Sequence, residues 1–247
     1  MEKNYSLDTM KIQDISIFGW ELAIKGARFP MDSESKSDSI FTPEIIIGPK
    51  DLDLLYRLRR AGVSHAKWCR FITVQAVLSF PMTYLFQLDT YKVATVSNSR
   101  SRSHTFGNRL LTENDFYCEQ PSSFLKDLII FINSKIILYQ ELKQNKELEH
   151  ANIERQQALD ILPSSFIVER VFQCNYEVLF NIIHQRYHKE KFSKNFWNWF
   201  CESFMDACPY LTYLRKEIPF LQVGDEFSEK SKKKDLTFIK GCTNKHN

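Results

Sequence analysis

Serine and arginine alternate in residues 97–104, which read Ser-Asn-Ser-Arg-Ser-Arg-Ser-His. Hydroxyl and guanidinium groups together supply the hydrogen-bond donors that can surround a phosphate. Arg100 and Arg102 are therefore candidate partners for the phosphate of a nucleotide. The same composition is also compatible with a solvated loop that binds nothing, or with a basic patch for nucleic acid.

A second group of chemically useful side chains follows residues 166–172, a run rich in β-branched and aromatic residues that predicts a strand. Asn175 comes next, and Asn is a preferred helix N-cap. Apolar residues then recur at helical spacing, and Arg186 lies at the edge of that apolar stripe. A guanidinium in this position could make a bidentate contact with a planar or anionic ligand. The alternative is an Arg that makes only a surface ion pair.

The order of these residues resembles the flavin-dependent thymidylate synthases. That family has a Leu-Pro pair, a short strand, an Asn that opens a helix, a second Asn and then an Arg. The corresponding residues of this chain keep every interval, and they are Leu162, Pro163, Asn175, Asn181 and Arg186.

The nucleotide loop of the family is matched less closely. In the family a Pro is followed by a Gln and then by an Arg-His-Arg triplet that leads into a Ser, Asn, Ser, Arg pattern. Pro81 and Gln87 keep the first interval, but Thr90-Tyr91-Lys92 stands at the triplet. The Ser/Asn/Ser/Arg pattern can be aligned without a gap or with one inserted residue, and both registers stay open.

A further difference concerns an Arg that the family has just before the Leu-Pro pair, because this chain has Leu159 there. The resemblance covers roughly residues 60–205. It is therefore close in the C-terminal helix and degenerate in the nucleotide loop.

The resemblance implies methylation of dUMP at carbon 5 to give dTMP, or a related modification of carbon 5 of a pyrimidine nucleotide. The carbon would come from methylenetetrahydrofolate and the hydride from reduced FAD, which NADPH regenerates. It implies that Arg186 is the catalytic residue, and that the chain forms a homotetramer with active sites shared between subunits. The implied nucleotide contacts are Gln87, Thr90, Ser97, Asn98, Arg100, Ser101 and Arg102, and the implied flavin contacts are Tyr91, Lys92, Asn175 and Asn181. No metal is expected.

Two other functions remain open. A catalytically inactive relative would keep the nucleotide pocket and lose the flavin chemistry. A nucleic-acid binder would use the Ser/Arg stretch, although a net charge of +3 is too small to imply such binding by itself.

Length and composition favour one domain, residues 1–225, followed by a flexible basic tail, residues 226–247. Hydrophobic residues make up 43% of the chain, which is enough for a sizeable core. Six Cys without Cys-x-x-Cys spacing predict reduced thiols rather than a zinc site or a disulfide framework. The N-terminus lacks the apolar segment of a signal peptide, and no run of about 18 apolar residues occurs, so we expect a cytoplasmic protein that does not cross a membrane.

The candidate residues must be positioned by an α+β fold, with long helices packed against an antiparallel sheet, as in the thymidylate synthase complementing protein. The sequence predicts strands at residues 44–47, 71–80 and 166–172. It predicts helices at residues 51–60, from 81 onward, and at 123–149, 175–186 and 195–204. The aromatic face of the last helix is expected to be core or subunit interface.

Overall fold

The computed structural model describes residues 3–119, 122–189 and 193–215. It has helices packed on a five-stranded antiparallel sheet, which confirms the predicted α+β fold class. The predicted tail, residues 226–247, lies outside the described residues. The described residues divide into two compact units: the first comprises residues 3–16, 75–119, 122–174 and 193–199, and the second comprises residues 17–74, 175–189 and 200–215.

The sheet consists of β1 (Tyr5–Leu7), β2 (Met10–Phe18), β3 (Thr73–Pro81), β4 (Val96–Ser99) and β5 (Ile167–Asn175). Their order across the sheet is β1-β2-β3-β5-β4. The predicted strands at residues 71–80 and 166–172 are confirmed as β3 and β5. Side chains alternate between the two faces of a strand. Met10 and Ile12 of β2 are accordingly buried, while Lys11 between them is exposed.

Two sequence predictions about strands are wrong. Residues 44–47 form no strand: Ile46 makes only a single bridge with Ile40. Pro43 and Pro49 flank this segment, and proline cannot donate to a strand ladder. Residues 97–99, expected in a loop, belong to β4, where Ser97 pairs with Phe172 of β5. Ser and Asn have little strand preference, so this pairing depends on β5 rather than on the local sequence.

The first unit contains α3 (Met82–Leu88), α4 (Arg102–Thr105), α5 (Phe124–Gln144) and α6 (Leu148–Asp160). The single long helix predicted at residues 123–149 is therefore a helical hairpin. Lys146 in the connection has a left-handed backbone, with φ of 65°, which ends the helical path. Ile129, Ile132 and Ile136 of α5 pack with Ala158 of α6 in one apolar cluster.

The second unit contains α1 (Trp20–Arg28), α2 (Pro49–Arg60), α7 (Tyr176–Arg186) and α9 (Leu211–Arg215). The helix predicted to begin at residue 51 begins instead at Pro49, so Asp51 lies in its first turn. Asp51 is buried and accepts a hydrogen bond from Arg28 Nε at 2.5 Å. Burial raises the pKa of Asp51, but hydrogen bonds from Ser37, Ser39 and Arg28 outweigh burial and leave that pKa below its ordinary value.

The last long helix, α8 (Lys194–Ala207), carries the aromatic face predicted from its sequence. Phe196, Trp197, Phe200 and Phe204 are all buried, which confirms their prediction as core. In the first unit the ring of Phe196 stacks on Tyr84, with ring centroids 3.8 Å apart. None of the helices in the described part of the chain is long and apolar enough to cross a membrane.

Candidate functional site

A cleft of about 640 Å³ opens in the first unit. This volume lies within the range of about 300–1,000 Å³ that is usual for small-molecule sites. Strands β2, β3 and β5 contribute Lys11, Ser79 and Glu169, and the segment from Arg100 to Asp115 supplies most of the remaining wall. The cleft therefore brings together polar groups from three strands and the Ser/Arg stretch.

The two arginines predicted to contact phosphate both line this cleft, but they differ in their partners. Arg100 donates from Nε to Glu169 Oε2 at 2.7 Å, and its backbone N–H donates to the Glu169 carbonyl at 2.8 Å. Arg102 is the first residue of α4 and is exposed. Across residues 3–119, 122–189 and 193–215 its guanidinium has no ion pair or hydrogen bond. Arg102 can thus take an anionic ligand without losing a partner.

A third arginine of the cleft, Arg109, belongs to a structural ion pair. Its Nη1 donates to Asp115 Oδ2 at 2.8 Å, and its Nη2 donates to the other carboxylate oxygen. Burial raises the pKa of Asp115, but the hydrogen bonds from Arg109 and from the Thr112 backbone N–H outweigh it, so the pKa is lowered. This pair fixes the loop that forms one wall of the cleft.

The segment that follows α4 is fastened to the α5–α6 hairpin. Arg155 of α6 donates from Nε to the carbonyl of Phe106 at 3.0 Å, and Gln140 of α5 donates to the carbonyl of Gly107 at 2.8 Å. Gly107 has a φ of 87°, and a Cβ there would meet the ring of Tyr139 at 2.9 Å. Glycine is required at this turn because other residues would be strained and would clash.

The remaining predicted nucleotide contacts of the Ser/Arg stretch do not line the cleft. Ser97 and Asn98 lie in β4 and are exposed. Ser101 is the N-cap of α4, and its carbonyl accepts hydrogen bonds from Thr105. The structure thus brings Arg100 and Arg102 together at the cleft and leaves these three residues beside it.

Gln87, at the end of α3, is held by a buried tryptophan. Trp197 Nε1 donates to Gln87 Oε1 at 2.9 Å, which leaves the amide N–H₂ of Gln87 available as a donor. Thr90 donates from Oγ1 to the Gln87 carbonyl at 2.7 Å. Tyr91 is half-buried and Lys92 is exposed. These residues form a second polar group in the first unit, and none of them lines the cleft.

The Leu-Pro segment has a structural role at the start of α3. The backbone N–H groups of Met82 and Thr83 donate to the carbonyls of Phe166 and Ser164, each at 3.1 Å. The first amides of a helix have no partner within the helix. The segment that follows Pro163 satisfies two of them, and so it orients the helix that carries Gln87.

In the second unit, Asn175 is the predicted N-cap of α7, and this prediction is confirmed. Its Oδ1 accepts a hydrogen bond from the Val178 N–H at 3.0 Å, and the residue is buried. Asn181 is exposed on α7, and Arg186 is half-buried at the end of this helix. The side-chain oxygen of Asn175 is therefore already used by the fold, whereas Asn181 remains accessible.

A buried cationic group lies near the end of α7. The guanidinium of Arg59 stands 3.5 Å from the centroid of the Phe180 ring, and burial lowers the pKa of Arg59 to about 10. Burial, together with the charges of Lys189 and Arg59, also lowers the pKa of His184 below 6.5. The imidazole of His184 is therefore neutral near pH 7 and adds no positive charge beside Arg59.

Sequence reasoning predicted Arg100 and Arg102 but missed the other polar residues of the cleft, among them Lys11 and Ser79 of the sheet. A signal was present in β2, where Lys11 and Gln13 alternate with the buried Met10 and Ile12. That alternation predicts a polar face on the strand but does not tell which other strand lies beside it. The residues of the cleft could therefore be identified only once the order of the strands in the sheet was known.

Solved structures share this fold. Thymidylate synthase X (ThyX) from Helicobacter pylori with FAD and dUMP is 16% identical, with a TM-score of 0.60 over 85% of this chain and 99% of that chain. A second structure, flavin-dependent thymidylate synthase ThyX from the same organism complexed with FAD and dUMP, is 16% identical, with a TM-score of 0.60 over 82% of this chain and 98% of that chain. No protein family model and no curated protein matches the sequence. The likeness therefore shows the flavin-dependent thymidylate synthase fold.

Proposed function

We propose that this chain is a divergent flavin-dependent thymidylate synthase that binds dUMP in the cleft of its first unit and methylates it to dTMP. The observation that carries the proposal is Arg102, an exposed guanidinium that has no partner among the described residues and lines a cleft of about 640 Å³. The chain has the fold of enzymes whose structures hold dUMP and FAD. A phosphate monoester at Arg102 would receive two parallel hydrogen bonds from the guanidinium.

Other residues would orient the nucleotide. Gln87 lies outside the cleft, and its amide N–H₂ is available because Trp197 already holds its oxygen. We propose it as a donor only to a part of the nucleotide that extends beyond the cleft. Arg100 compensates the carboxylate of Glu169, which would otherwise repel the phosphate. Arg186 belongs to the second unit and does not line the cleft. Its proposed role, which rests on the resemblance and on active sites shared between subunits, is to stabilise the negative charge that develops on the uracil ring of dUMP bound to a partner subunit.

The donor set outside the cleft fits a flavin dinucleotide in chemical type. Lys92 is exposed and offers an ammonium group for the diphosphate, and Tyr91 beside it offers an aromatic ring. Asn181 offers an exposed amide, whereas the side-chain oxygen of Asn175 serves as the helix cap. When bound, reduced flavin supplies the hydride, and methylenetetrahydrofolate is the proposed carbon donor with NADPH as the reductant.

A second candidate function is a catalytically inactive nucleotide-binding protein with the same fold. The specific observation in its favour is the triplet position, where Thr90-Tyr91-Lys92 retains only one cation and Thr90 donates its hydroxyl hydrogen to a backbone carbonyl. Such a protein would keep Arg102 and the cleft but would not hold the flavin.

The visible absorption spectrum of the purified protein, before and after addition of FAD, separates these candidates. A bound-flavin band together with calorimetric binding of dUMP supports the thymidylate synthase proposal. A colourless protein that binds dUMP supports the inactive relative. A protein that binds neither, but binds single-stranded DNA with a steep salt dependence, would favour the nucleic-acid alternative and overturn both.

We also propose that the chain acts in the cytoplasm as a homotetramer. Ile130, Phe131 and Ile137 of α5 are exposed apolar side chains, and large exposed apolar groups of this kind are typical of subunit contacts. Light scattering coupled to size-exclusion chromatography gives the mass in solution. A monomer at micromolar concentration would contradict the assembly without affecting the assignment of the cleft.

A further inference from the structure

We propose, on the basis of the proposed function, that Lys11 and Ser79 form the floor of the dUMP site and hold its phosphate together with Arg102. Neither residue belongs to the sequence pattern that resembles the thymidylate synthases. Both come from the sheet, whereas Arg102 lines the cleft from the start of α4.

Ser79 of β3 is the first observation. The residue lines the cleft and is only 6% exposed, yet in the described part of the chain its hydroxyl has no hydrogen-bond partner. Its neighbours Leu78 and Phe80 are fully buried and alternate with it along the strand. Because this hydroxyl makes no hydrogen bond among the described residues, it is available as a donor to a ligand oxygen that reaches the floor.

Lys11 of β2 is the second observation. The alternation in this strand places Lys11 on the cleft side, with Met10 and Ile12 on the buried side. Over the ranges that the structure describes, the ammonium group of Lys11 makes no ion pair or hydrogen bond. Its charge is therefore uncompensated at the edge of the same floor that contains Ser79.

The charges that line the cleft match a phosphate monoester. Arg100 is paired with Glu169, and Arg109 is paired with Asp115. Lys11 and Arg102 are the two cations of the cleft that have no carboxylate partner among residues 3–119, 122–189 and 193–215. A phosphate monoester carries about −1.5 to −2 charges at pH 7, so these two cations would neutralise it.

Leu159 of α6 marks a difference between this chain and the thymidylate synthase pattern. The thymidylate synthase pattern has an Arg at this position of the chain, but Leu159 of α6 packs against the apolar cluster of the first unit. Helix α6 thus supplies no cation at position 159. Lys11, from a different element, is a cation that does line the cleft.

Isothermal titration calorimetry with dUMP, deoxyuridine and inorganic phosphate tests the inference on the full chain. Lys11→Met is expected to weaken dUMP binding by about tenfold and to leave deoxyuridine binding unchanged, because only the phosphate contact is lost. Ser79→Ala is expected to weaken dUMP binding several-fold, and Lys11→Arg is expected to retain most of it. Lys36→Met and Ser16→Ala are matched controls outside the cleft, and thermal melts verify that every variant is folded.

The outcomes separate this inference from the proposed function. If wild-type protein binds dUMP and both floor variants bind it as tightly as the controls, the inference is wrong and the proposed function stands. If wild-type protein does not bind dUMP but binds inorganic phosphate, and Lys11→Met and Ser79→Ala lose that binding, the anion site stands and the proposed function fails. Binding of neither dUMP nor phosphate overturns both.

Discussion

Arg102 and Arg100 both line the cleft, and the structure predicts that removing them has unequal effects. Arg102→Ala removes a guanidinium that has no carboxylate partner in the described residues. A hydrogen bond to a charged group contributes about 1.5–3 kcal/mol, which corresponds to a loss of dUMP affinity of roughly tenfold to a hundredfold. Folding should be unaffected because Arg102 is exposed.

Arg100 requires a different variant, because Arg100→Ala alone would leave the carboxylate of Glu169 uncompensated near the ligand. The double variant Arg100→Ala/Glu169→Ala removes both charges and keeps the net charge of the cleft. Because the two opposite charges nearly cancel at the phosphate, this double variant should change the dUMP affinity by less than about fivefold, or about 1 kcal/mol.

Calorimetry with dUMP and with deoxyuridine at several salt concentrations provides the measurement. Arg102→Ala should lose the preference for dUMP over deoxyuridine, and Arg102→Lys should recover only part of it because a bidentate contact is lost. The reasoning is refuted if Arg102→Ala binds dUMP like the wild-type protein. It is equally refuted if the charge-neutral double variant loses as much affinity as Arg102→Ala.

Three further predictions concern stability. Asn175→Ala should lower the free energy of unfolding in urea by about 1 kcal/mol, the usual contribution of an N-cap, while Asn175→Asp should retain most of it; an unchanged midpoint in the Ala variant would remove the capping role. Folding lowers the pKa of Asp115 from 3.8, so the stability that its carboxylate contributes is present above pH 3.8 and is lost as the pH falls through the lower pKa of the folded state. Asp115→Asn should therefore have a lower free energy of unfolding near pH 7 and should lose less stability than the wild-type protein on acidification. Folding lowers the pKa of His184 from 6.5, so the unfolded chain binds more protons than the folded chain just below that pH, and the melting temperature should fall as the pH falls from 6.5. If the melting temperature of His184→Gln falls with pH as steeply as that of the wild-type protein, this prediction is wrong.

The parts of the fold that the sequence predicted are those set by local residue patterns. The β-branched and aromatic runs of β3 and β5 could be recognised as strands without knowing which strands pair with them. Asn175 caps α7 through a hydrogen bond to a residue in the first turn of that helix, so its role could be inferred from adjacent sequence. The fold class followed from these elements together with the family resemblance.

The parts that the sequence did not predict depend on contacts between distant segments. Residues 97–99 become a strand because they pair with β5, although Ser and Asn are poor strand formers. Lys11 and Ser79 reach one cleft because β2 and β3 are neighbours in the sheet, which no spacing along the chain reveals. The end of α5 before Lys146 is set by a left-handed backbone at a residue that rarely adopts it.

Formation of dTMP by the purified chain tests the central claim most directly. The wild-type protein is supplied with dUMP, methylenetetrahydrofolate, FAD and NADPH, and nucleotide products are separated and quantified. The proposed function predicts that dTMP accumulates, and that Arg102→Ala and Arg186→Ala, although folded, form far less of it. Absence of dTMP from wild-type protein that has bound both FAD and dUMP would contradict the claim.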